Sequence, residues 1–217
     1  MRDYGNPCGR LVTVSSRVIV LAGPSGAGKS RLAERLGLPV LRLDDFYHDL
    51  DAPGLPLVAE GANAGMVDWD HPDSWDHAAA VSALEELCRT GRTLVPDYSI
   101  PLSRRVGQRP LDLAGAGYFV AEGIFAPRVV SDLSSGGILQ GAYCITQHPA
   151  LTFARRLRRD LRQRRKPPVV LVRRGWALAR AQESVVEAAV ANGCLRATPD
   201  QAFEELAPLL SATSAGV

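Results

Sequence analysis

The sequence predicts an α/β fold: a parallel sheet with helices on both faces, completed by a basic helical lid. Three observations predict it. Apolar segments of strand length alternate with helical segments along the chain, the order that builds a doubly wound parallel sheet. A glycine-rich segment, Gly23-Pro24-Ser25-Gly26-Ala27-Gly28-Lys29-Ser30, stands between one such strand and one such helix. Several strands end at acidic residues, and open α/β sheets bind their ligands at the carboxyl ends of their strands.

The first strand is Arg17-Val18-Ile19-Val20-Leu21-Ala22, rich in β-branched residues and running straight into the glycine-rich segment. That segment fits the pattern G-x-x-x-x-G-K-[ST] at every fixed position. Lys29 to Leu36 reads as a helix, with Leu32 and Leu36 on one face and Gly37 as its stop. Each part has a physical job. The loop from Gly23 through Ser25, Gly26, Ala27 and Gly28 turns sharply and brings its N–H groups against phosphate oxygens. The helix N-terminus adds partial positive charge at the same point. Lys29 would reach the β- and γ-phosphates, and the Ser30 hydroxyl would ligate Mg²⁺. Strand, loop and helix together predict a nucleoside-triphosphate site with Mg²⁺, and leave ATP and GTP both open.

The rest of the chain follows in order. Pro39-Val40-Leu41-Arg42-Leu43 reads as a second strand ending at Asp44-Asp45-Phe46-Tyr47. Two acids at that strand tip either carry chemistry or cap the next turn; position alone does not separate the two. Residues 49–67, rich in Gly, Ala and Pro, read as a loop or lid. Asp68-Trp69-Asp70-His71-Pro72-Asp73-Ser74-Trp75-Asp76 is the densest acidic and aromatic mixture in the chain. Asp73 or Ser74 would cap the following helix, which carries Val81, Leu84, Leu87 and Cys88 on one face and ends at Gly91. Thr93 to Tyr98 reads as a short edge strand or extended loop, because Pro96 argues against a central strand. Gly117 to Phe125 is a buried strand with Glu122 near its tip, the usual place for a second Mg²⁺ anchor. Gly141 to Thr146 is a further central strand.

Pro149 to Lys166 reads as a helix rich in arginine, stopped by Pro167-Pro168. Such a run is a solvated face, a nucleic-acid patch, or a lid that brings arginines to a transferring phosphoryl group. A helix from about Trp176 to Ala191 ends at Gly193; Cys194-Leu195-Arg196 reads as a last short strand. Ala197-Thr198-Pro199-Asp200 leads into a final helix with Asp200 near its cap.

Composition narrows the classes. A chain of 217 residues suits one domain, residues 1–217, with the lid at about 150–175. A net charge of +2 gives no global drive toward nucleic acid or membrane. Four cysteines lie far apart with no C-x-x-C, which argues against a zinc site or disulfide framework and predicts a reducing cytoplasm. No signal peptide, membrane-spanning run or internal repeat is expected. Residues 1–16 and Ser211–Val217 read as loose ends.

These residues carry a resemblance, in order, from residue 18 to about 166. The chain resembles the uridine kinase family of P-loop NTPases. Gly23–Ser30 is similar to that family's ATP loop, and Asp44-Asp45-Phe46-Tyr47 to its Asp-[Asp/Ser]-Phe-Tyr. The resemblance implies that Asp44 takes the proton from a nucleoside 5′-hydroxyl. Trp69-Asp70-His71-Pro72-Asp73-Ser74-Trp75-Asp76 is similar to Phe-Asp-His-Pro-Asp-x-Phe-Asp, which implies that Asp70 holds ribose hydroxyls. Pro96-Asp97-Tyr98 is similar to Pro-x-Tyr, whose tyrosine contacts the nucleoside base. Glu122-Gly123-Ile124 is similar to Glu-Gly-Ile, with the acid near Mg²⁺. Arg155-Arg156-Leu157-Arg158-Arg159-Asp160 is similar to the lid, with Arg164 and Lys166 at further basic positions. The chain departs from the family at Ser99, which follows the tyrosine in place of Asp. It departs again at Ser103, which stands where a pyrimidine-reading His is aligned.

The sequence therefore predicts transfer of the γ-phosphoryl of ATP to a hydroxyl of a nucleoside-like small molecule. Asp44, Lys29, Arg156, Arg159 and Arg164 are the expected catalytic residues. Asp44, Tyr47, Asp70, His71, Tyr98 and Lys166 are the expected acceptor residues, and Ser30, Asp44 and Glu122 the metal residues. Ala197 and Pro199 are expected at the adenine pocket on fold analogy. Two rivals stand beside this reading: a kinase for another acceptor, of the pantothenate or nicotinamide riboside type, and a nucleotide-gated regulatory ATPase. The expected partner is a small molecule, with no membrane, nucleic acid disfavoured, and a homo-oligomer left open.

Overall fold

A computed structural model describes residues 16–61, 63–147 and 182–214 of the chain. Five strands form one sheet: β1 (Arg17–Ala22), β2 (Val40–Arg42), β5 (Tyr118–Glu122), β6 (Leu139–Ile145) and β7 (Leu195–Ala197), in the order β2-β5-β1-β6-β7. Every neighbouring pair is parallel. The apolar run of β1 is continuous because both faces of the sheet are covered. Successive side chains of a strand point to opposite faces. Val18, Val20 and Ala22 accordingly join one buried cluster, and Ile19 and Leu21 join the other.

The first face is closed by α2 (His77–Thr90), α3 (Val130–Ser135) and α4 (Gln182–Ala191), through Leu84, Leu87, Leu133 and Val186. The second is closed by α1 (Lys29–Leu36) and α5 (Pro199–Ser214), through Leu32, Leu36 and Leu206. The helices on both faces, the parallel sheet and the stop of α1 at Gly37, a left-handed residue at φ 66°, match the sequence expectation.

Four details differ. The Thr93–Tyr98 segment is part of a longer strand, β3 (Arg92–Ser99), paired antiparallel with β4 (Arg104–Asp112) in a hairpin separate from the main sheet. Pro96 is tolerated there because both strands of a two-stranded hairpin are edges. The strand β4 had no clear signal: it is mostly exposed, so no apolar alternation marks it. The short helix α3 also went unread. Finally, α2 is capped by Asp76, whose carboxylate accepts from the Ala79 N–H at 3.0 Å, and not by Asp73 or Ser74. Those two lie in a separate 3₁₀ turn, Pro72–Ser74. The arginine-rich helix and lid lie outside the described residues.

Candidate active site

The phosphate-loop segment leaves β1 at the middle of the sheet. Gly23 sits at φ 120°, and a Cβ there would stand 2.3 Å from the Ile145 carbonyl oxygen at the end of β6. Only glycine lets the chain turn in that space. Gly28 begins α1 at φ 106°, with no side-chain cap and no acidic residue in the first turn. The helix N-terminus therefore keeps its partial positive charge for a ligand. The Lys29 ammonium curls back over the loop and donates to the Gly23 carbonyl at 2.7 Å and the Pro24 carbonyl at 3.3 Å.

The carboxylates lie to one side of this loop. Pairing of β2 with β5 sets Arg42 opposite Glu122, so both strand tips end together. The Ser30 hydroxyl lies 3.2 Å from each Glu122 carboxylate oxygen and donates into that carboxylate. Beyond β2 the chain makes a 3₁₀ turn, Leu43–Phe46. Its two acids face opposite ways. Asp44 is exposed, and its Oδ1 accepts from the Ile124 N–H at 2.9 Å. Asp45 is buried and pairs with Arg109 of β4 at 2.9 Å. A Cβ at Gly123 would stand 2.8 Å from the Asp44 carboxylate. Glycine at that position is what lets the strand tip approach Asp44.

Next to Asp44 stands an aromatic group centred on Tyr47. Its ring lies 5.7 Å from Trp69, 5.8 Å from Tyr98 and 5.9 Å from Phe125. The Tyr47 hydroxyl donates to the Trp69 carbonyl and the Tyr98 hydroxyl to the His48 carbonyl, both at 3.2 Å. Burial, then the charges of Asp44 and Asp70, push the Tyr47 phenol far above its ordinary range. Tyr47 is thus a neutral phenol, donating to the Trp69 carbonyl. Burial and Asp49 also raise Tyr98. Asp70 is exposed, and His71 accepts from the Asp73 N–H within its own turn at 3.2 Å.

Ala197 ends β7 and Pro199 begins α5, both buried, on the far side of the loop from Asp44. The Ala197 carbonyl accepts from the Thr146 N–H at 2.9 Å. Arg156, Arg159, Arg164 and Lys166 lie outside the described residues. No sequence motif singles out Arg105 or Arg109, whereas Asp45 and Phe125 lie in segments the motifs already cover. The available signal was a basic cluster, Arg104-Arg105 with Arg109 four residues further on. It is too faint without the partner acids. Among the described residues no cluster of three His, Cys, Asp or Glu side chains has metal-holding geometry. A hydroxyl with a carboxylate, Ser30 with Glu122, is instead the oxygen donor set that suits Mg²⁺ with water and phosphate ligands. The donor chemistry fits that ion.

No family model matches the chain. The uridine kinase of Schizosaccharomyces pombe is 31% identical over 155 residues, which is 68% of this chain and 32% of that protein. The uridine kinase of Chloroflexus aggregans is 28% identical over 160 residues, 68% of this chain and 69% of that protein. The chain spans about a third or less of the length of the first curated relatives it matches. Among solved structures, a candidate fructose transport system kinase from Silicibacter sp. TM1040 superposes with a TM-score of 0.54 at 20% identity, covering 78% of this chain and 85% of that one. The chain therefore has the P-loop NTPase fold and, over 68% of its length, is similar to uridine kinases.

Proposed function

We propose that the protein is a single-domain, ATP-dependent kinase carrying the γ-phosphoryl group of ATP to a hydroxyl of a nucleoside or similar ribose-bearing small molecule. The observation that carries this reading is Asp44: an exposed carboxylate, held by the Ile124 N–H, between the phosphate-loop side of the sheet and the Tyr47 aromatic group. A carboxylate in that position accepts the proton of the acceptor hydroxyl as its oxygen bonds to phosphorus and ADP leaves. Phosphate-loop N–H groups and Lys29 hold the triphosphate. Ser30, Glu122 and Asp44 would hold Mg²⁺, which would supply charge to neutralise the triphosphate. In this reading Arg156, Arg159 and Arg164 supply positive charge to the transferring group, and Lys166 binds the acceptor. Asp70, Tyr98 and His71 face the acceptor, and Ala197 and Pro199 the adenine. The buried cysteines Cys88, Cys144 and Cys194 are outside any disulfide, which accords with a cytoplasmic setting.

The test is ADP release across a panel of nucleosides, vitamins and sugars. Acceptor-dependent release supports the kinase reading; release stimulated only by RNA or protein sinks it in favour of a regulatory ATPase. Asp44→Asn keeps the shape of the site but cannot take a proton. That variant should bind ATP normally and lose acceptor-dependent turnover by roughly 10²–10⁴-fold. Full turnover in Asp44→Asn would remove Asp44 as the base.

A further inference from the structure

We propose that Arg105 and Arg109 of β4 are positioning residues for the acceptor site: the hairpin clamps the turn that carries Asp44 and Tyr47. This inference rests on the kinase reading for its effect on turnover, but not for the clamp itself.

The hairpin β3–β4 is a separate two-stranded sheet, and no strand of the main sheet pairs with it. Two-stranded hairpins are marginal alone, so side-chain contacts must fasten it. Some lie on α2, where Val95 joins the core and the Thr93 hydroxyl meets Glu86; the polar contacts of Arg105, Arg109 and Tyr98 converge on one short stretch. The Arg109 guanidinium meets the Asp45 carboxylate at 2.9 Å. Arg105 donates from Nε to the Tyr47 carbonyl at 3.3 Å and from Nη2 to the Asp76 carboxylate at 3.0 Å. The Arg105 N–H donates to the Asp49 carboxylate at 2.7 Å, and the Tyr98 hydroxyl donates to the His48 carbonyl at 3.2 Å. Residues 45, 47, 48 and 49 are therefore each held from the hairpin.

The consequence falls on residue 44. Successive residues of a 3₁₀ turn point about 120° apart. With Asp45 drawn inward to Arg109, Asp44 must face out, where its Oδ1 meets the Ile124 N–H. Loss of Arg109 leaves a buried acid without its guanidinium and frees the turn to rotate. At the other end, Arg105 ties the Tyr47 backbone to the cap of α2, so Tyr47 keeps its place beside Trp69 and Tyr98. The hairpin thus sets the distance between the proton acceptor and the acceptor's aromatic wall.

The experiment compares Arg109→Met, Arg109→Lys, and the double variant Asp45→Asn with Arg109→Met, which removes both charges of the pair, the buried carboxylate and its half-exposed guanidinium. Arg105→Met is measured beside them. Each is assayed for kcat and KM with the best acceptor from the panel, for KM with ATP, and for amide hydrogen exchange of residues 43–49. We expect kcat to fall by on the order of 10²-fold in Arg109→Met and in the double variant, a loss typical of a reacting group displaced by about 1 Å. KM for ATP should stay unchanged, and Arg109→Lys should recover part of the loss. Exchange should quicken at 43–49 and not in β1 or β5. A folded double variant with wild-type kcat overturns the proposal, because pairing would then serve stability alone. So does an equal loss in ATP binding, or unchanged exchange at 43–49. Absence of acceptor-dependent turnover in the unmodified protein overturns the kinase reading instead, and the exchange result still decides the clamp.

Discussion

Gly23 shows how one residue sets the geometry of the nucleotide site. It combines φ 120° with a space in which a Cβ would lie 2.3 Å from the Ile145 carbonyl oxygen. Gly23→Ala would have to push β6 away or abandon the left-handed turn. Overpacking and backbone strain together cost about 2–4 kcal/mol. In a chain of this size that should lower Tm by roughly 5–15 °C. It should also weaken ATP binding, because the carbonyl that Lys29 grips would move. A thermal melt with and without ATP–Mg²⁺ checks this, and a stable, fully binding Gly23→Ala protein would refute it. The need for glycine was legible from the motif, since its pattern is a backbone requirement. The opposite fates of Asp44 and Asp45 were not legible. Adjacent acids in one sequence look alike, and only the position of Arg109, 64 residues away, separates the buried one from the exposed one.

At the scale of elements, helix α2 illustrates a cap that also serves as an anchor. Burial pushes the Asp76 carboxyl up, but the Ala79 N–H and the Arg105 guanidinium outweigh it and hold the group below its ordinary value of 3.8. Folding therefore favours the charged form. The stability this contributes is complete above the unfolded value of 3.8 and is lost as pH falls through the lower folded value. Asp76→Ala removes both the cap and the ion pair, and should cost about 1 kcal/mol, which is roughly 2–4 °C of Tm at this size. The difference in Tm between wild type and Asp76→Ala should hold at neutral pH and narrow below about pH 4. A gap that widened in acid would contradict the assignment. The helix itself was legible through Leu84, Leu87 and Cys88, but its start was misplaced. Asp73, Ser74 and Asp76 are all good caps by residue type. The choice depends on where Trp75 goes: it is buried, donating from Nε1 to the Leu43 carbonyl at 2.7 Å, and so it ends the first turn before α2 begins. The hairpin was half legible for a related reason. Val95 joins the core, but β4 is fastened largely by pairs such as Arg105 with Asp76, which no periodicity reports.

For the whole molecule, the strand order β2-β5-β1-β6-β7 arranges the chemistry along one line. Asp44, Tyr47 and Glu122 gather at the β2–β5 end, the phosphate loop follows β1 in the middle, and Ala197 follows at β7. The place of these residues at strand tips was legible in the sequence; the order of the strands, which sets the line, was not. What lies at the acceptor end is harder to read, since it is built from residues 44–47, 69–75, 98 and 122–125, brought together only by the fold. Ser103 is the informative position there. It occupies the hairpin turn at φ 48°, its hydroxyl 3.4 Å from the Ile100 carbonyl, and its own carbonyl accepts from the Leu50 N–H at 2.8 Å. It is held as a turn residue, with a side chain too short to reach a base as an imidazole would. A site that hydrogen-bonds a substrate group rejects analogues lacking it strongly, and a site without that contact does not. Uridine and cytidine should therefore be poor acceptors beside another ribose-bearing compound with a flat group to set against Tyr98. Comparison of kcat/KM for the two pyrimidine nucleosides against the wider panel tests this. Ser103→His gives the converse: it should raise kcat/KM for uridine while leaving KM for ATP unchanged. If uridine or cytidine proved the best substrate of the unmodified protein, in the range of roughly 10⁶ M⁻¹s⁻¹ or above, base recognition would have to come from elsewhere in the site, and the loss of the imidazole at residue 103 would carry no consequence for specificity.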